Sequence, residues 1–304
     1  MAFLDAFKFG NDLWDPSRRY ETSWLLPPWL FFACRALFLS PIPRVVSLDA
    51  NPTPPRLQSL YAFTDLFFTL AWACTHDAVG GCQTARRSFS YFTVLTYWGL
   101  AFYLAVAAAH TLSYMLRSGR DSLLARLPRP LQALHALFYT SVVTLPFLVT
   151  IVYWSILYAG RGFPSTYDAW SNASEHALNS AFALFELVLA RTAPPPWVHA
   201  LWLIVILLGY LAVAFVTLAD QGWYTYSFLD HDSVGGRGYV AAYVLGIAVG
   251  ILVIFAVVWG LIHLRVWVTE KKLGMEGKFV RGRNQGVDHN SEQRSKEQTA
   301  QSFV

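Results

Sequence analysis

Long apolar runs separated by short polar loops set the pattern of this chain. The clear runs cover roughly 57–75, 89–113, 134–158, 175–191, 198–219 and 239–266. A bilayer core of about 30 Å takes about 20 apolar residues per helix, and several of these runs reach that length. The pattern predicts an all-α fold, a polytopic membrane bundle of about six transmembrane helices. An earlier apolar stretch, 24–47, is broken by Pro27, Pro28, Pro41 and Pro43 and has Arg35 and Arg44 within or beside it. Three readings of it stand open: a seventh span, an interfacial segment, or part of the first helix set apart by an insertion around Ser40–Pro55. Residues 51–56, Asn-Pro-Thr-Pro-Pro-Arg, read as a loop.

Charge orients the bundle. Cytosolic loops are enriched in Lys and Arg. The loop at 114–133 carries Arg117, Arg120, Arg126 and Arg129, and the C-terminal region carries Arg265, Lys271, Lys272, Lys278, Arg281 and Arg283. The loops at 160–174 and 220–238 hold only Arg161 and Arg237. Six spans place the first residues (Lys8, Arg18, Arg19), the 114–133 loop and the C-terminus together in the cytosol, whereas seven put the N-terminus outside. The chain therefore divides into a cytosolic N-terminal tail (1–23), a transmembrane domain (24–268, with 24–56 irregular or inserted) and a basic C-terminal tail (269–304) too poor in apolar residues to fold. The resident membrane is expected to be the endoplasmic reticulum or the plasma membrane.

Composition agrees. Of 304 residues, 55% are hydrophobic and only 14% charged, against about a quarter in soluble domains. The net charge of +4 comes mostly from the tail, and no basic stripe interleaved with aromatics suggests nucleic acid. Asp5, Asp12, Asp15 and Glu21 interrupt the first 23 residues before any long apolar core, unlike a cleaved signal. Cys74 and Cys82 form a disulfide if their loop faces an oxidising compartment, and remain two thiols otherwise. Neither Asp-Arg-Tyr nor Asn-Pro-x-x-Tyr is present to support a seven-helix receptor.

Ionisable groups inside a bilayer are costly, so each is a functional candidate. Asp65 lies in the first span, Glu186 in the fourth, and His176 opens the fourth. Thr93 lies one turn inside the second. The second and fourth spans both enter from the outer side, which puts Thr93 and His176 at similar shallow depth. A hydroxyl and an imidazole so matched make a nucleophile–base pair. The plainer reading of Thr93, a hydroxyl bonded to its own helix, is the commoner one for membrane threonines. Asn172-Ala173-Ser174 matches the glycosylation pattern but lies close to the bilayer, where Ser174 reads better as a helix N-cap. His110, His135, His199 and His263 fall near cytosolic helix ends. They support an alternative, a non-hydrolytic protein binding heme or metal.

Three stretches carry a family resemblance. Tyr91-Phe92-Thr93-Val94-Leu95 is similar to an aromatic-x-Thr segment opening the second helix. Asn172-x-x-x-His176, with Glu186 and then Arg191-Thr192, is similar to a fourth-helix pattern, and Gly222-x-x-x-Tyr226-Ser227-Phe228-Leu229-Asp230-His231 to a loop in the last third. Together they resemble the androgen-induced-gene and androgen-dependent TFPI-regulating protein family, six-span membrane threonine hydrolases. The chain differs from the family's usual residues at Thr96, Ala181 and Ser227. The resemblance implies hydrolysis of fatty acid esters of hydroxy fatty acids drawn from the bilayer, without a cofactor or metal. It puts the nucleophile on Thr93 and the base on His176. Asn172 or Asn179 would orient the ring, Tyr226 or amides near Ser174 would face the oxyanion, and Glu186, like Asp65, either lines the pocket or pairs with a cationic group such as Arg35.

Overall fold

The computed structural model describes residues 14–37, 61–76, 80–119, 121–158, 160 and 162–275. The 40–55 insertion, the first thirteen residues and the tail beyond Met275 lie outside the described residues. The architecture is an all-α helical bundle, with no β-strand among the described residues beyond one isolated bridge, Ser23 to Ala190. We number the principal helices α1 Pro28–Leu37, α2 Tyr61–Thr75, α3 Gly81–Ser88, α4 Phe92–Leu116, α5 Arg129–Leu157, α6 (Thr166–Ala173, Ser174–Leu178 and Asn179–Leu189 in continuous succession), α7 Val198–Gln221 and α8 Arg237–Lys272. Four of them, α4, α5, α7 and α8, are long and apolar enough to cross a membrane. Helices α2 and α6 fall on the other two expected runs.

The proline-broken stretch at 24–47 yields α1, ten residues long. At 1.5 Å per residue it covers about 15 Å, half a bilayer core, so its described part does not span. It packs instead along α4 and carries Arg35 into the interior. The fourth helix starts at Thr166, earlier than the apolar run suggests, because its first turns hold Asp168, Trp170, Ser171 and Asn172. Ser165, whose hydroxyl accepts the Asp168 N–H at 3.1 Å, is the N-cap, and Ser174 lies well inside the helix. His176 therefore sits mid-helix rather than at its mouth.

Helix α5 is interrupted at Val143–Thr144, just before Pro146, whose missing N–H suits the start of a new turn. Helix α8 runs through Lys272, with Thr269 and Glu270 buried, so the ordered chain extends past the expected tail boundary at 268. The buried Tyr97, Leu100, Tyr103 and Leu104 of α4 form the centre of the main apolar core, against Ala62, Leu66, Tyr139, Phe182 and Ile262. Cys74 and Cys82 form a disulfide that ties the end of α2 to α3. It lies where α2 ends and α4 begins, while Arg117 and Arg126 follow the far end of α4.

The N-terminal segment is built into the bundle. Arg19 donates through Nη1 and Nη2 to the two Glu270 carboxylate oxygens, both at 2.7 Å, and Trp24 Nε1 donates to the Val188 carbonyl at 2.7 Å. Glu21 is 1% exposed and accepts from the Ser122 hydroxyl. Burial pushes its carboxyl up to about 7, with the Ser122 bond opposing and nearby Asp15 adding to the rise.

Candidate functional site

Thr93 is the second residue of α4, and Tyr91 before it offers no side-chain cap to the helix. The first amides of a helix have no intrahelical acceptor and carry its positive end. Here the Phe92 N–H finds the Tyr226 phenol oxygen at 3.0 Å. Tyr226 comes from the turn after α7, which Gly222 ends in the left-handed conformation at φ 71°. Its phenol also meets the Thr93 side chain, and burial holds its pKa above the ordinary value, so the O–H remains available as a donor. Tyr210 stands beside it and donates to the Ser90 carbonyl at 3.0 Å.

Below this group lies an elongated apolar cavity between α4, α5, α7 and α8, covered by the Phe228–Leu229 turn. Thr93, Tyr153, Tyr210 and Tyr226 are its polar lining residues, and Ile204, Leu208 and Ile247 are typical of its walls. On α5 the lining runs from Leu148 to Leu157, about 13 Å of helix length. An apolar cleft with a few convergent polar groups at one end fits an amphiphilic ligand.

His176 is 8% exposed and lies in the π-helical turn Ser174–Leu178 of α6. Such turns shift one residue's register and recur at functional sites. Its ring stacks on Tyr153, centroids 3.6 Å apart and planes 19° from parallel, and Trp154 Nε1 donates to its carbonyl at 3.0 Å. Tyr153 and Trp154 belong to a second π-helical turn, Tyr153–Leu157. His176 Nδ1 lies 3.1 Å from the Asn172 carbonyl. A carbonyl only accepts, so Nδ1 carries the proton and Nε2 keeps its lone pair. Tyr153 lines the cavity with Thr93 and stacks on the imidazole, while His176 itself is not among the lining residues. Among the described residues no hydrogen bond joins Thr93 and His176 directly.

The expected helpers divide. Asn172 orients the ring, but through its backbone oxygen. Its side chain accepts from Tyr153 Oη at 2.6 Å and donates to the Asp168 carbonyl at 2.8 Å, engagements that also occupy the amide a glycan would need. Asn179 does not orient the ring, because its side-chain oxygen takes the Thr150 hydroxyl at 3.2 Å and the Ser180 N–H at 2.6 Å. Glu186 is not a pocket residue. It forms a doubly hydrogen-bonded pair with Arg35 of α1, 2.8 Å at each oxygen, with both side chains fully buried. Ser174 donates to the Trp170 carbonyl at 2.9 Å, inside the helix, so no helix start lies there to supply oxyanion amides. The amides that do start a helix are those of Phe92 and Thr93. Tyr153 and Trp154 escaped the sequence reading, since an aromatic pair ending a span looks like any membrane-interface belt.

The histidines of the heme-or-metal alternative are partly dispersed. His110 and His135 face each other with centroids 5.0 Å apart, while His199 Nδ1 bonds the Thr140 hydroxyl at 2.7 Å and His263 stacks on Trp259. Asp230, His231 and Asp232 cluster on the surface, where Asp230 caps the short helix His231–Val234.

A family model described as FAR-17a/AIG1-like protein matches residues 61–260, which include α2 through most of α8. The chain belongs to the FAR-17a/AIG1-like family. The match contains Thr93, His176 and the Tyr226 turn, so the cavity is assembled entirely from the family's part of the chain, while the Arg35 helix precedes it. No curated protein and no solved structure matches the chain. The family and the apolar helices make this a membrane protein.

Proposed function

We propose that this protein is an intramembrane lipid esterase that hydrolyses fatty acid esters of hydroxy fatty acids, with Thr93 as nucleophile and His176 as base. The observation that carries the reading is the apolar cavity whose polar end holds Thr93, Tyr226 and the Tyr153 ring that covers His176. An ester dissolved in the bilayer enters between the helices with its acyl chain along the Ile204 and Ile247 walls. Its carbonyl comes to the start of α4. The Thr93 hydroxyl attacks the carbonyl carbon as its proton passes to His176 Nε2, which requires the ring to reach past Tyr153 when substrate is bound. The tetrahedral oxyanion faces the Tyr226 O–H and the Thr93 amide at the positive end of α4. Collapse expels the hydroxy fatty acid alkoxide, which takes the proton back from His176 and leaves Thr93 acylated. Water, deprotonated by His176, then releases the fatty acid. The compartment proposed is the endoplasmic reticulum or plasma membrane, with the site opening to the non-cytosolic side.

The test is hydrolysis of a branched hydroxy-fatty-acid ester by purified wild-type protein and by Thr93→Ala and His176→Ala. Loss in both variants, with helical content and melting unchanged, is the expected result. Wild-type turnover in either one overturns the assignment.

A further inference from the structure

A second apolar hollow adjoins the cavity that holds Thr93. It lies between α4, α5 and α7, has a volume of about 280 Å³, and is walled in part by Leu95, Thr96 and Gly99 of α4 and by Leu145 and Pro146 of α5. The break in α5 just before Pro146 therefore falls in its wall. The hydroxyls among its lining residues are engaged within the protein. Thr96 donates to the Phe92 carbonyl at 2.9 Å, Ser141 to the Phe138 carbonyl at 2.8 Å, and Tyr210 to the Ser90 carbonyl. What the groove offers a ligand is hydrocarbon surface. Gly99 keeps it open, since a Cβ there would meet only Phe138, at 4.0 Å. Leu95 and Val213 also line it and are exposed, so it opens on the lipid-facing side of the bundle.

Phe92 and Tyr210 line both hollows, and their rings meet with centroids 4.9 Å apart. Each is anchored at the outer end, Tyr210 by its bond to Ser90 and Phe92 by the bond from its N–H to Tyr226. The ring pair is a partition. Thr93 follows Phe92 directly and lines the cavity. An ester held at Thr93 thus stands beside the partition, with an apolar hollow on either side of it. A simple alkyl ester of a fatty acid fills one such hollow. An ester whose oxygen sits on a mid-chain carbon carries long hydrocarbon on both sides of the reacting bond, and needs two.

We propose that the groove at Gly99 takes the alkyl tail of the hydroxy fatty acid while the acyl chain occupies the cavity, so that Gly99 sets the preference for branched over simple esters. The assignment rests on the esterase reading given above.

Purified full-length protein is given two substrates that share one acyl group, the palmitoyl ester of a mid-chain hydroxystearic acid and methyl palmitate. The ratio of kcat/KM, branched over methyl, is expected to fall about 10-fold or more in Gly99→Leu, which fills the groove. It is expected to keep its wild-type value in Gly209→Leu, at a position lining neither hollow. An unchanged ratio in folded Gly99→Leu overturns the proposal. Photocrosslinking reads the same contact without hydrolysis. A branched ester bearing a diazirine on the alkyl tail of its hydroxy acid, bound to Thr93→Ala, is expected to label residues 95–99 or 141–146. Label confined to the cavity walls, or groove label that excess phospholipid removes, overturns the proposal. Wild type that cleaves neither ester removes the Thr93 assignment alone, and the crosslink then decides the groove.

Discussion

Glu186 gives the sharpest quantitative test of how α1 is held. Its carboxylate receives Arg35 Nε and Nη2, each at 2.8 Å, and neither side chain is exposed. Arg35 also donates to the Tyr20 carbonyl at 2.8 Å, the Thr111 hydroxyl at 2.7 Å and the Ala107 carbonyl at 3.4 Å. Glu186→Ala removes the carboxylate bonded to Arg35 and leaves its guanidinium hydrogen-bonded to neutral acceptors. Breaking a buried pair in this way costs about 3–5 kcal/mol, because the remaining charge has lost its partner without regaining water. On the size scaling of unfolding entropy this lowers the melting temperature by roughly 10 °C. Thermal melts in detergent, with monodispersity checked before heating, read the shift. Asp121→Ala is the control, since it breaks exposed pairs with Arg117 and Arg126 that are worth at most about 1 kcal/mol. The double change Arg35→Met with Glu186→Leu removes both charges and should recover most of the loss. Equal melting for Glu186→Ala and Asp121→Ala, or a double variant no better than Glu186→Ala, refutes the reasoning.

Three further outcomes follow from the same geometry. Cys74→Ser opens a link between residues eight apart, and the chain-entropy relation gives a loss of about 2–3 kcal/mol; melting with and without reductant measures it, and an unchanged wild-type melt in reductant contradicts it. Glu21 has its folded carboxyl raised to about 7 from the ordinary 4.5, so its protonated form is favoured by folding. Its stability contribution is complete below about 4.5 and is lost as pH rises through about 7, a change of roughly 3 kcal/mol. Melts from pH 5 to 8 should fall for wild type and flatten for Glu21→Gln; matching slopes for the two rule out Glu21 as the source. Tyr226→Phe removes the oxyanion-side hydroxyl and should lower kcat about 100-fold with little change in KM, whereas a rise in KM alone indicates a binding role.

What the sequence made legible was whatever depends on apolar length. The spans at 89–113, 198–219 and 239–266 match α4, α7 and α8 closely, because bilayer thickness leaves a strong mark on composition. The start of α6 was invisible, since Asp168, Asn172 and Ser174 read as loop residues. Their polar groups are satisfied by neighbouring helices, as when Tyr153 bonds Asn172 and Tyr61 bonds Ser174. Thr93 and His176 could be singled out by motif and depth. The partners that hold them could not, because stacking of Tyr153 on His176 depends on two π-helical turns in separate helices. Such a turn comes from tertiary packing, not from local residue preference. Glu186 could be read as a pocket residue or as a partner of Arg35, and the choice depended on where an irregular segment 151 positions earlier would place Arg35.

The contact between Arg19 and Glu270 joins residues 251 positions apart. Arg19 precedes every described helix, and Glu270 lies in the closing turns of α8. The segment holding Arg19 can therefore close over the bundle only once α8 has been made. A chain that stops short of Glu270 offers Arg19 nothing to grip, and Arg191, 3.7 Å from the same carboxylate, loses that neighbour too. Closure of this clasp reports that α8 has been made through its closing turns.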